Sequence, residues 1–412
     1  MRPVRIAVAV VLTAAAATTG SLVARSTGHQ SAPPDRGGVA APAPPTTLQG
    51  NPAPPTDPEQ QHPSPTPPPG PTPRLSLGHV GPLEAVQAIG GTATAFGVGK
   101  GAILTTRDGG RTWIRVWRGT QDLHDVDFVS ASTGWAVGDG ILLGTVDGGQ
   151  HWRQLGQPKV RPLRSVHFSS PSEGWGVAGP DLPGERRVPA TTLVHTRDGG
   201  RTWSALAAPR PPQSVCFTSS SDGWLASGLE VWRSTDAGRS WGSRPSFVPR
   251  LANYTYAPSA ELQCAAPGAA WVRFDSGEGA AGSSPYALYA TADGGAHWRG
   301  VLARYGEPGV AGGPGSYPGP FSVIDPKRAF LLSPTPAADS TGAVLIGQGG
   351  SRLQFLPGIP RIRLATDSKP MSVSFASATR GWVVGGVGTY SGRGVILATV
   401  DGGRTWQSQL PT

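Results

Sequence analysis

Thr106-Arg107-Asp108-Gly109-Gly110-Arg111-Thr112-Trp113 is the stretch that most limits what this chain can fold into, because it recurs. The same eight-residue pattern ends at Trp152, Trp203, Trp241, Trp298 and Trp406. A degenerate copy, 346–353, keeps two glycines and lacks the Asp and the Trp. Successive copies lie 38 to 57 residues apart, a period that marks a repeat architecture. Upstream in each unit an apolar stretch runs into a Trp: Phe128 to Trp135, Phe168 to Trp175, Phe217 to Trp224, Cys264 to Trp271 and Phe375 to Trp382. Ala95-Phe96 and Ala329-Phe330 take that place in the first and sixth units. Eleven of the thirteen Trp fall in one of these two slots, so the indoles belong to the repeat.

One unit reads as four short strands: 125–129, 134–137, 140–146 and 151–155, separated by turn residues. Four such strands in about 40 residues make one blade of a β-propeller. A blade cannot bury both faces alone, so several must stack in a ring. The expected fold is therefore all-β, a seven-bladed β-propeller of four-stranded antiparallel blades over residues 75–412. The glycines of each Asp-Gly-Gly turn supply the positive φ that tight hairpins need, and the Asp side chain accepts backbone N–H bonds. Asp108, Asp147, Asp198, Asp236, Asp293 and Asp401 are thus expected to be structural turn residues. Trp113, Trp152, Trp203, Trp241, Trp298 and Trp406 are expected to fill the space between blades.

The pattern Ser/Thr-x-Asp-x-Gly-x-Thr-Trp resembles the Asp-box, or bacterial neuraminidase repeat. Paired with the Phe…Gly-Trp strand, it makes residues 83–410 similar to the photosystem II stability/assembly factor-like propellers. The resemblance implies Asp-boxes that are structural turns remote from any active site. It extends to sialidases, xyloglucanase-type hydrolases, sorting receptors and non-enzymatic assembly factors, so it implies a fold more than an activity.

Residues 1–24 carry Arg2 and Arg5 and then the uncharged stretch 6–24, which reads as a signal peptide or an N-terminal membrane anchor. Residues 25–74 form a disordered Pro-rich linker, with sixteen Pro between 31 and 74. The expected location is extracytoplasmic: secreted, or anchored in the cytoplasmic membrane of a bacterium through residues 6–24 if these are not cleaved. The net charge of +9 comes from 35 basic against 26 acidic residues. It suits an acidic surface, but an exported chain without a binding motif gives no reason to expect nucleic acid. Cys216 and Cys264, on the first strands of adjacent units, are expected to form a disulfide, with two buried free thiols as the alternative.

The long connections fall on one side of the disc, away from the Asp-Gly-Gly turns: 179–192, 244–260, 275–285, 303–320, 333–341 and 386–394. Loops on a rigid scaffold are where binding residues concentrate. The candidate binding residues there are Arg186, Arg187, Tyr254, Tyr256, Arg273, Tyr286, Tyr305, Tyr317, Tyr390 and Arg393, residue types enriched at hot spots. Packing tyrosines and solvated arginines are the plainer alternative.

No catalytic set is legible. A sialidase resemblance would require an Arg-Ile-Pro motif near the first blade and a gripping set of arginines, and residues 75–100 hold no Arg, Arg74 lying just before them. The loop acids Asp181, Glu185, Asp275, Glu278 and Glu307 show no pairing in the sequence. Residues 97–101 lack P-loop spacing, and no His falls at metal-ligand spacing, so neither a cofactor nor a metal is expected. The reading is a monomeric, non-catalytic scaffold that binds a protein partner or a cell-surface polymer. An extracellular glycoside hydrolase, sialidase-like or xyloglucanase-like, and a carbohydrate-binding surface protein are its rivals.

Overall fold

The computed structural model describes residues 77–180, 190–243, 258–276, 284–304, 310–315, 317–335, 340–347, 351–357, 359, 371–387 and 392–410. The N-terminal stretch 6–24 and the Pro-rich linker lie outside the described residues. All secondary structure among the described residues is strand and turn, in agreement with an all-β propeller.

The blade count differs from the expected seven. The strands of the described residues form six sheets. The first is six-stranded and runs β1 (Leu83–Ala88), β2 (Ala95–Thr106), β3 (Ile114–Phe128), β4 (Gly134–Gly138), β5 (Ile141–Thr145) and β6 (Arg153–Gln154). Its size comes from β3, which is continuous over 15 residues. The early part of β3 pairs with β2 and its later part, from Leu123, pairs with β4. No loop separates the first two repeat units, so they merge into one blade.

The second sheet holds β7 (Leu163–Phe168), β8 (Gly174–Ala178), β9 (Thr192–Thr196) and β10 (Ser204–Leu206). The third holds β11 (Ser214–Phe217), β12 (Gly223–Ser227), β13 (Glu230–Ser234) and β14 (Gly242–Ser243). The fourth has five strands: β15 (Ser259–Ala266), β16 (Ala269–Asp275), β17 (Tyr286–Thr291), β18 (Arg299–Arg304) and the short β19 (Ala311–Gly312) parallel to β18. The fifth is β20 (Phe321–Asp325), β21 (Arg328–Thr335), β22 (Ser340–Gly347) and β23 (Arg352–Leu356). The sixth is β24 (Ser372–Phe375), β25 (Gly381–Val387), β26 (Arg393–Thr399) and β27 (Gln407–Ser408).

Adjacent units are glued by aromatic pairs. Trp135 stacks on Phe168 with ring centroids 3.4 Å apart, and Trp175 on Phe217 at 3.6 Å. The Gly before Trp135, Trp175 and Trp224 is required by the ring of its own unit. A Cβ on Gly134, Gly174 or Gly223 would stand 2.4 Å from the ring of Phe128, Phe168 or Phe217. Trp175, Trp224, Trp271 and Trp382 are all but fully buried, and truncating one such indole to Ala costs on the order of 3–5 kcal/mol.

A second set of bonds runs from the first strand of each unit to the first strand of the next. Gln87 Oε1 accepts the Phe128 N–H, Asp125 and Asp127 accept from Val166 and Phe168, and His167 Nε2 donates to Phe217 O. Ser214 Oγ accepts from Leu262, Gln263 Oε1 from Val323, and Ser322 Oγ from Phe375. Ser372 and Ser374 then accept from Val86 and Ala88, which closes the circle. The same junction buries Leu83 and Val86 of β1 against Trp382, Val384 and Ile396 of the last sheet. The ring therefore closes by packing and side-chain hydrogen bonds between its first and last sheets.

Candidate functional site

The six aspartate turns are saturated. In the first, Asp108 Oδ1 accepts from Thr106 Oγ1 and the Thr112 N–H, and Oδ2 from Thr112 Oγ1 at 2.6 Å. Asp147, Asp198, Asp236, Asp293 and Asp401 repeat this with the residues at the same offsets. Thr106 Oγ1 also accepts the Gly110 N–H. Each turn is pinned to the preceding turn of its own unit, as when Gly148 N–H donates to Ser132 O at 2.8 Å. The hydrogen bond from Thr112 lowers the Asp108 carboxyl to about 2, and that from Ser240 does the same for Asp236. Three of the roughly four acceptor positions of the Asp108 carboxylate are thus taken up inside its own turn. The turn tryptophans pack inward: Trp113 and Trp406 are buried, and Trp152, Trp203, Trp241 and Trp298 are half-buried.

Of the loop-face candidates, Arg186, Arg187, Tyr254, Tyr256, Tyr305 and Tyr390 lie outside the described residues. Of the four that are described, Tyr286 and Tyr317 share Ser333, and Arg273 reaches Gly319, two residues from Tyr317. Arg273 pairs with Glu261 at 2.9 Å and donates to Gly319 O. Tyr286 is fully buried; its hydroxyl lies 3.0 Å from Ser333 Oγ, which donates to Tyr317 O. Burial pushes the Tyr286 phenol above its usual range. Tyr286 is thus a packing residue, because the strand already begins at its position. Arg393 opens β26 and is exposed. Asp275 accepts from Ser284 Oγ, while Asp181, Glu185, Glu278 and Glu307 lie outside the described residues. Among the described residues no cluster of three His, Cys, Asp or Glu is arranged to hold a metal. Cys216 on β11 and Cys264 on β15 are joined by a disulfide, with Cα atoms 5.8 Å apart.

A cavity of about 390 Å³ opens on the loop face, lined by His124, Asp139, Arg161, Pro162, Arg164 and Pro180 among others. His124 is clamped by Glu84 at 2.6 Å and Asp139 at 2.8 Å. The hydrogen bond to Glu84 leads a set of effects that raise its imidazole to about 9, so it is cationic at neutral pH. Its charge is met by these two carboxylates, and Arg161 and Arg164 bring two further cations to the wall, which reaches Pro180. Sequence reasoning missed these residues. Their signal was His124 on β3 together with Lys159, Arg161 and Arg164 in the short 158–164 connection.

A family model described as Photosynthesis system II assembly factor YCF48 matches residues 114–241. No curated protein matches the sequence. Among solved structures, one described as YCF48 bound to D1 peptide is 17% identical with a TM-score of 0.51, over 79% of this chain and 95% of that one. The GH74 enzyme of Niastella koreensis is 14% identical with a TM-score of 0.54, over 81% of this chain but 55% of that one. The RRP9 WD40 repeats are 12% identical with a TM-score of 0.52, over 79% and 96%. At such identities the likeness is one of fold, and the fold is a YCF48-like β-propeller.

Proposed function

We propose that this chain is an exported or membrane-tethered, non-catalytic propeller that binds a protein partner through the face carrying the long connections. The observation that carries this reading is the cavity at His124, Arg161 and Arg164, set on a closed ring and lined as far as Pro180 by residues of the loop face. A rigid scaffold lowers the ordering cost of binding, and the arginines of this face favour a partner with an acidic surface. The solved YCF48 with its D1 peptide is a precedent for peptide binding on this fold. The test is crosslinking pull-down with the full exported chain, comparing wild type with R161E/R164E and with a deletion of 181–189. Loss of the crosslinked partner in both variants supports the reading. Equal capture by all three overturns it.

A second reading, an extracellular glycoside hydrolase, is favoured by the fold likeness to the GH74 enzyme. Turnover of xyloglucan or fluorogenic glycosides by the purified chain would establish it in place of the first.

A further inference from the structure

One place recurs immediately before the Gly-Trp pair of the repeat, and it holds Thr133, Glu173, Asp222 and Arg380. In two units its charge is met on the neighbouring strand. Glu173 Oε1 lies 2.7 Å from His195 Nε2 and 3.9 Å from Arg197 Nε. Asp222 Oδ1 lies 2.7 Å from Arg233 Nε. Strand register produces these pairs, since Trp175 stands opposite His195 and Trp224 opposite Arg233. In the last sheet Trp382 stands opposite Ala398, and Val400 takes the place that Arg197 holds in the second sheet. The sign of the charge is reversed at Arg380, and the register offers it no acid. Its Nε is buried without a hydrogen-bond partner, and no carboxylate among the described residues pairs with its guanidinium.

That guanidinium faces a cleft of about 570 Å³ between the last and first sheets, on the side of the aspartate turns. Arg380 Cζ and Nε lie 3.8 Å from where a Cβ on Gly109 would stand. Arg111, Gln409 and the apolar Val400 share the wall. Asp108 is the acid on that wall, and both of its oxygens are occupied by Thr106 and Thr112. Gln409 Oε1 is a second buried polar atom there without a partner. Buried polar groups are normally satisfied. The Arg380 guanidinium, with an aliphatic wall, suits a carboxylate attached to an apolar chain, and Gln409 Oε1, an acceptor, suits a peptide N–H of that chain.

We propose that this cleft binds a carboxylate-bearing peptide segment, with Arg380 as its anchor and Arg111 at its mouth. It would be a second contact surface, on the opposite side of the ring from the one proposed above. It rests on the same view of the chain as a protein-binding propeller, but on different residues.

The test is fluorescence anisotropy with the full chain and three labelled pentapeptides of Ala and Val. One ends in a free carboxylate, one is amidated, and one is amidated but carries an internal Asp. The free-acid or the Asp peptide should bind and the plain amide should not, and which acid binds tells a C-terminus from a side chain. Arg380→Gln should weaken binding about tenfold or more at an unchanged melting temperature. Arg111→Gln should weaken it less, and deletion of 181–189 should leave it intact. Equal binding of the plain amide, an undiminished R380Q, or competition by inorganic phosphate as strong as by acetate would each overturn the proposal. Peptide binding without any loop-face partner would sink the earlier reading alone, and the converse would sink this one alone.

Discussion

The Asp127 carboxylate on β3 accepts the backbone N–H of Phe168 on β7 at 2.6 Å, and Asp125, two residues earlier, accepts that of Val166 at 3.0 Å. Two acids on alternate positions of one strand thus hold the edge of the next sheet. Burial raises both carboxyls, Asp125 to about 6. They serve as acceptors in the ring of cross-sheet bonds and are partly desolvated by it.

The consequence for stability has a definite sign. The folded carboxyl of Asp125 holds its proton up to about 6, whereas an unfolded Asp releases it near about 3.9. Its contribution therefore falls as pH rises from about 4 to about 6. Asp125→Asn keeps one acceptor for Val166 and abolishes the titration. Urea unfolding at pH 4.5 and 7 should show the wild type losing about 1–2 kcal/mol more than D125N over that interval. An equal loss in both proteins would refute the assignment. Below pH 4 the turns act the other way. Asp108, Asp236 and Asp293 are lowered to about 2, so their stabilisation is present above about 4 and disappears as pH falls toward 2.

His124 makes the alkaline limb. Its pKa is raised to about 9 in the fold, chiefly by Glu84, against about 6.5 when unfolded. The clamp between Glu84 and Asp139 is at full strength below about 6.5 and is lost as pH climbs through about 9. Wild type should lose on the order of 1 kcal/mol between pH 6.5 and 9.5, and His124→Gln should not. A melting-temperature series in low salt reads the difference. Parallel curves for the two proteins would mean that His124 is not the titrating group.

What the sequence disclosed and what it hid follow from the range of the interactions. The aspartate turns were legible because every bond closing them spans two to four residues, as in Thr106 to Asp108 and Asp108 to Thr112. The paired Trp and Phe slots were legible because the repeat preserves their spacing. The blade count was misjudged at 114–128. That connection contains no Pro, whereas Pro158 and Pro162, and then Pro209, Pro211 and Pro212, interrupt the next two. A proline-free run of β-prone residues allows one strand to serve two partners, which is what β3 does. The acceptors of the ring were not legible, because Asp125 and Asp127 simply alternate with the buried Val126 and Phe128 along one strand. Their partners lie 41 residues away. Tyr286, placed beside the 275–285 connection, opens β17, and its ring belongs to the core shared by the fourth and fifth sheets.

The disulfide between Cys216 and Cys264 closes a separation of 48 residues. By the loop-entropy account, cross-linking at that separation stabilises by about 3–4 kcal/mol. The double variant Cys216→Ser, Cys264→Ser should lower the free energy of unfolding by that order. Added reductant should lower the wild type toward the variant and leave the variant unchanged. If reductant shifts both equally, the bridge is not formed in solution.

The glycines of the last turn provide a sharper test of how the blades meet. Gly403 has φ +87°, and a Cβ there would stand 2.5 Å from the Phe330 ring of the fifth sheet. Gly109 has a similar φ of +78°, but the nearest atoms to its Cβ would be those of Arg380 at 3.8 Å. Both substitutions to Ala carry the left-handed backbone penalty of about 1–2 kcal/mol. Only Gly403→Ala also forces a ring apart, for about 1–3 kcal/mol more. Chemical denaturation should therefore rank G403A well below G109A. Equal losses would show that backbone conformation alone matters at these turns, and that Phe330 does not press against the following blade.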